Sequence, residues 1–193
     1  MKYLLLSFIV LSTLSIHNSG IKIFNVGNHD KYFIKQEYIS WCWASVVESL
    51  YKINNKKISQ KDIFKTFNNK KEINIMDYSI NGGAITGYRL KNYFNKFFKS
   101  VSKVYHFEVI RDLENENKPL LIIMPHMDGS HITTIVGYKI YNDQTLYKIV
   151  NNDIDYKSYK SKFYYVNEFV IKKSFIYNVS PKDNLVMNNN FSK

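Results

Sequence analysis

The chain has one cysteine, in the stretch Gln36-Glu37-Tyr38-Ile39-Ser40-Trp41-Cys42-Trp43-Ala44-Ser45. Apolar residues follow it at 43, 46, 47, 50 and 51, which is helical spacing. The pattern predicts a helix from Trp41 to about Lys52, with Ser40 as its cap. A thiol in the first turn of a helix meets unpaired backbone N–H groups and the positive end of the helix dipole. Both favour the thiolate, which lowers the thiol pKa. Thiolate is the nucleophilic form, so Cys42 stands where a catalytic cysteine would stand. An inert buried cysteine suits the same position equally well, and the partners must decide between the two.

A thiol nucleophile needs a base. Beyond the first 20 residues the histidines are His29, His106, His126 and His131. His29 lies in an irregular segment and His106 in a strand-like one. His131 follows Asp128-Gly129-Ser130 and begins the apolar run Ile132 to Tyr141, so it starts a strand just after a turn. His126 competes with it from the end of the preceding strand. A base in turn needs an acceptor that fixes its tautomer. Lys148-Ile149-Val150-Asn151-Asn152-Asp153 closes the strand that should pair with the histidine strand, which makes Asp153 and Asn152 the candidates. Adjacent strand residues point to opposite faces, so one of the two faces the histidine. An Asn-Asn-Asp cluster is also an ordinary turn former. Gln36, six residues before Cys42, carries an amide that can join the Cys42 N–H in holding an oxyanion.

The elements that would position these residues come in two blocks. After the Cys42 helix, Ser59 caps a second helix with Ile63, Phe64 and Phe67 inward. Asn81-Gly82-Gly83 marks a turn, and a third helix is expected over 84–98, with Ile85, Leu90, Tyr93, Phe94, Phe97 and Phe98 inward. Strands are then expected over Val101–Val109, Leu120–Met124, Ile132–Tyr141, Thr145–Asn151, 162–166 and 169–178, with a charged turn or short helix from Asp112 to Asn117. Residues 16–40 read as an irregular arm, and the polar tail from Pro181 as frayed. Helices first and strands second is an α+β order, with the helical half packed on an antiparallel sheet.

Gln36, Cys42-Trp43-Ala44-Ser45, His131 and Asn152/Asp153 together resemble the papain-like cysteine peptidase superfamily. The likeness is nearest to its compact bacterial branches: the staphopains, the bacteriocin-leader peptidases, and the plant-pathogen effector cysteine proteases that carry Trp-Cys-Trp-Ala. Ile58-Ser59-Gln60-Lys61-Asp62-Ile63 resembles their second helix, and Lys118-Pro119 with His131 and Gly137-Tyr138 resembles their central hairpin. The likeness spans about residues 33–155. It implies a papain-like fold and a thiol endopeptidase, with Cys42 as nucleophile, His131 rather than His126 as base, Asp153 or Asn152 orienting it, and Gln36 at the oxyanion. The expected partner is a protein or peptide substrate, and no metal or organic cofactor is implied. Those branches usually end the third motif in Asn-Asp-Pro, whereas here Ile154 follows Asp153, which leaves the choice of third residue open. With so short a segment before Gln36, a full inhibitory propeptide is not expected, and neither is a transporter-coupled leader peptidase. An acyl-transfer enzyme on the same fold, or a silent peptide-binding relative, shares the pattern.

Composition bounds the rest. At 193 residues and 45% hydrophobic, with 16 Tyr and 13 Phe, the chain is long and apolar enough for one cored domain, expected over residues 16–180. One cysteine excludes an internal disulfide framework and any multi-cysteine metal site. Met1-Lys2-Tyr3 followed by apolar residues 4–14 reads as a secretory signal, cleaved after Ser15 or as late as Gly20. The mature protein is then expected to be secreted or periplasmic, with no membrane attachment. The net charge of +11 comes almost wholly from lysines spread along the chain. Lys, Asn, Ile, Tyr and Phe are enriched together, as A+T-rich coding produces. Such a field favours acidic surfaces. Two arginines and no recognisable module argue against nucleic acid.

Overall fold

A computed structural model describes residues 21–38, 41–68, 87–126, 129–153 and 161–183. The expected signal, the turn at 81–83, Ile85, Ile154 and the tail past 183 lie outside the described residues, as does Ser40, whose expected cap position falls instead on Trp41. The helices are α1 (Cys42–Ile53), α2 (Gln60–Asn68), α3 (Gly87–Phe97), α4 (Val109–Glu116) and α5 (Glu168–Lys172). The strands are β1 (Lys22–Asn25), β2 (Phe98–Val104), β3 (Leu120–His126), β4 (Gly129–Tyr141), β5 (Gln144–Val150), β6 (Phe163–Asn167) and β7 (Phe175–Pro181).

The helical half is held by aromatic side chains. α1 is buried on nearly all sides, from Cys42 through Val47 and again at Ser49, Leu50 and Tyr51. α2 opens on a reciprocal cap, in which Ser59 Oγ donates to Asp62 Oδ2 (2.6 Å) and accepts from Asp62 N–H (3.2 Å). Its inner face is Ile63, Phe64 and Phe67. Trp41 stacks on Phe64 with centroids 4.7 Å apart, and Trp43 packs against Phe67 at 5.0 Å. From α3, Tyr93 meets Trp43 edge-on and donates its hydroxyl to the Trp43 carbonyl at 3.3 Å. The start of α1 is thus fixed from two neighbouring helices before the sheet is considered.

Seven antiparallel strands form one sheet in the order β2-β7-β3-β4-β5-β6, with β1 added on β4. β4 is the axis. One side of it pairs with β3 over its first half and with β1 over its second, while the other side carries β5. The close approach of β1 requires Gly137, because a Cβ there would lie 2.3 Å from the Phe24 carbonyl oxygen. The β4–β5 turn places Asn142 and Asp143 at φ 47° and 58°, left-handed values that these residues tolerate best after glycine.

Four expectations need correction. The arm expected over 16–40 contains a strand, β1, and a 3-10 turn at His29–Tyr32. β2 begins earlier and ends at Val104 instead of Val109, because Tyr105 N–H is taken by Glu108 Oε2 (3.1 Å) and the chain turns into α4. The strand expected over 169–178 opens as helix α5, since Asn167 Oδ1 accepts from Val170 N–H (3.3 Å), and only then becomes β7. Pro181, expected to fray, still pairs with Phe98.

Candidate active site

The site forms where the first turn of α1 meets the start of β4 and the end of β5. Cys42 is the first residue of α1, and Trp41 at the cap position makes no side-chain capping bond. The Cys42 Sγ accepts the N–H of Ile132 at 3.5 Å. Ile132 is the neighbour of His131 on β4, so the start of this strand lies against the thiol.

The thiol does not have the lowered pKa that its helix position suggests. Burial disfavours the thiolate and pushes Cys42 up to about 11, against the opposing pull of the Ile132 and Trp43 amides. The Asp153 charge adds to the rise. The amides and the dipole are legible in the sequence; the burial of the thiol by the folded chain is not.

The two candidates for the third position go different ways. Asn152 is buried, and its Oδ1 lies 2.9 Å from His131 Nε2. Asn152 Nδ2 donates to Ser45 Oγ (2.7 Å), the Cys42 carbonyl (3.1 Å) and the Ile132 carbonyl (3.2 Å). Ser45 Oγ in turn donates to the Cys42 carbonyl at 2.8 Å. Two of the Nδ2 partners are carbonyl oxygens, so the amide cannot be turned over without setting oxygen against oxygen. The end of Asn152 that faces His131 is therefore an acceptor, and His131 Nε2 carries a hydrogen. In the neutral ring, Nδ1 is then the basic nitrogen. Asp153 is half-buried, and its Oδ1 accepts a long hydrogen bond from Gln36 Nε2, 3.4 Å.

Gln36 is buried and reaches the site from the loop before α1, its own N–H donating to the Asn152 carbonyl at 2.8 Å. Its side-chain Oε1 is buried with no hydrogen-bond partner. Gln36, Cys42, His131, Asn152 and Asp153 are thus brought into one neighbourhood. His126 closes β3, opposite Gly129 in the hairpin. His29 packs on Phe163, and His106 lies in a 3-10 turn after β2. Among the described residues no cluster of three or more His, Cys, Asp or Glu is placed to hold a metal, and no helix is long and apolar enough to cross a membrane. Residue-type reasoning missed Ser45. Its signal was only its place one helical turn after Cys42.

No protein-family model matches the chain, and no curated protein sequence matches it. Solved structures do. One addresses antibody cross-reactivity between the mite allergens Blo t 1 and Der p 1. It superposes with a TM-score of 0.51 at 13% identity, over 87% of this chain and 73% of that one. The digestive procathepsin L2 proteinase from Tenebrio molitor larval midgut aligns at 0.46 and 11%, over 83% of this chain and 67% of that one. The likeness to the mite allergen structure is one of fold: α+β, papain-like, with helices on an antiparallel sheet.

Proposed function

We propose that the chain is a thiol endopeptidase in which Cys42 is the nucleophile, His131 the base, Asn152 the orienting residue, and Gln36 with the Cys42 N–H the oxyanion site. The observation that carries this reading is the fixed direction of the Asn152 amide. It leaves His131 with its basic nitrogen at Nδ1, as a base for the thiol requires. Asp153, the other candidate for that role, is assigned to the Gln36 side of the site.

In the reaction, Nδ1 takes the Cys42 proton as Sγ bonds to the scissile carbonyl carbon and the carbonyl electron pair moves to oxygen. One N–H of Gln36 Nε2 and the backbone N–H of Cys42 receive that oxyanion. Collapse of the tetrahedral species expels the amine, which takes the proton from His131. Water then gives a proton to His131 as its oxygen bonds to the acyl carbon. The thioester breaks, the acid leaves, and sulfur regains its proton. Because burial holds the resting thiol neutral, proton transfer and attack run together. Residues 1–15 are taken as an export signal, so the substrate is a protein or peptide met outside the cytoplasm.

The test is the pH profile of Cys42 alkylation by iodoacetamide in the wild type, His131→Ala and His126→Ala. Wild type and His126→Ala should react at neutral pH. His131→Ala should react only as the pH nears the buried thiol's own range, about 11. Three coincident profiles would remove the proposed pair. Digestion of a peptide library by the wild type and not by Cys42→Ala completes the assignment, and intact peptides after overnight incubation would count against a peptidase.

A further inference from the structure

The first residue of α2, Gln60, is 1% exposed, and the proposed mechanism leaves it unused. Its amide reaches back to the loop that carries Gln36. Gln60 Oε1 accepts the Glu37 N–H at 2.8 Å, and Nε2 donates to the Lys35 carbonyl at 2.9 Å. Nε2 also donates to Glu48 Oε2 of α1 at 3.0 Å. The two backbone groups it holds belong to the residues on either side of Gln36. A carbonyl and a carboxylate grip Nε2, so the amide cannot turn over, and its oxygen must face Glu37.

Gln36 itself has little to hold its side chain. One 3.4 Å bond to Asp153 fixes Nε2, and Oε1 is buried without a partner. Its backbone, by contrast, is pinned at residues 35, 36 and 37 by the two Gln60 bonds and by the 2.8 Å bond to the Asn152 carbonyl. A side chain held so loosely takes its place from its backbone.

We infer that Gln60 is a positioning residue for the oxyanion site, clamping the 35–37 loop so that the Gln36 amide stands over Cys42. The inference rests on the reading of Gln36 as an oxyanion donor. A pair of probes separates it from a merely structural role. Iodoacetamide alkylates Cys42 by displacement: the S–C bond forms, iodide leaves, and no oxyanion arises. p-Nitrophenyl acetate acylates it by addition: sulfur bonds the carbonyl carbon, an oxyanion forms, and p-nitrophenolate leaves behind a thioacetyl group.

In Gln60→Met and Gln60→Glu the p-nitrophenolate burst should slow about tenfold, a part of the loss of 100-fold or more that a direct oxyanion donor gives. Alkylation should stay within about twofold of wild type, because displacement needs no oxyanion donor. In a Gln36→Ala background, Gln60→Met should slow the burst no further, since the residue it positions is gone. Gln60→Glu keeps the volume and the Glu37 bond while losing both donations, so it decides the matter where Gln60→Met lowers the melting temperature. If burst and alkylation slow together in Gln60→Glu, Gln60 serves the fold alone and the inference is overturned. If Gln36→Ala slows the burst and neither Gln60 variant does, the inference fails while the oxyanion reading stands. If Gln36→Ala leaves the burst unchanged, the oxyanion reading fails and takes the inference with it.

Discussion

The two sides of the site are built by different means. On the Cys42 side, Asn152, Ser45 and the carbonyls of Cys42 and Ile132 close a buried network, and Asn152 uses both ends of its amide. On the Gln36 side, Gln36 has one long bond and a buried oxygen with none, and Asp153 stands partly in solvent. Side-chain bonds thus fix the histidine's tautomer, while backbone bonds fix the glutamine's place. A proton donor and acceptor must be correct to one atom, so its orienter is over-determined. An oxyanion donor, the role proposed for Gln36, need point only in roughly one direction, which a clamped loop can supply.

The contrast can be broken or sharpened by substitution. The largest effect is expected from Asn152→Asp, which sets a carboxylate against two carbonyl oxygens where an NH2 group stood. Loss of a buried donor network of this kind costs about 3–5 kcal/mol, measurable by urea unfolding, and a change under 1 kcal/mol would mean the network is not closed as described. Ser45→Ala removes one acceptor and one donor, and should cost about 1–2 kcal/mol. It should also slow acylation of Cys42, since the amide that orients His131 loses its shortest bond. Next comes pH. Burial keeps the folded thiol protonated up to about 11 while the unfolded thiol ionises near its ordinary 9.0. The folded state therefore binds more protons between those values, and stability falls as pH rises from about 9. Cys42→Ala should flatten that limb in unfolding curves taken at pH 9 and 10, and an unchanged slope would place the thiol in a wetter setting. The smallest effect belongs to Asp153→Asn. On the half-exposed side it should change stability by about 0.5 kcal/mol or less, while moving the alkylation profile to lower pH, because the Asp153 charge raises the thiol pKa.

The helices and central strands were legible because their apolar residues keep strict periods. α1, α2 and the β3–β4–β5 run follow from spacing alone. The strand β1 was not legible. It has four residues and no alternation, and what defines it is a glycine more than 100 residues away on β4. α5 was misread because Val170, Ile171 and Phe175 look like a strand, and one cap from Asn167 outweighs that propensity. At the site, sequence could narrow the third position to two neighbours and no further, since strand alternation says that one faces inward without saying which. The same holds for Gln60: its partners come from residues 35, 37 and 48, and no local pattern records them.

The pairing of β1 with β4 joins residues 22–25 to 137–140, and Cys42 meets its partners at 131–132 and 152. The chain emerges from the ribosome in order, so Cys42, the proposed nucleophile, appears long before the groups that surround it in the fold. Such distant pairings also close slowly. The growing chain carries Cys42 without the Asn152 amide for more than half of its synthesis. The proposed activity, on this topology, needs residues 131–152 made and folded onto the start of α1 first.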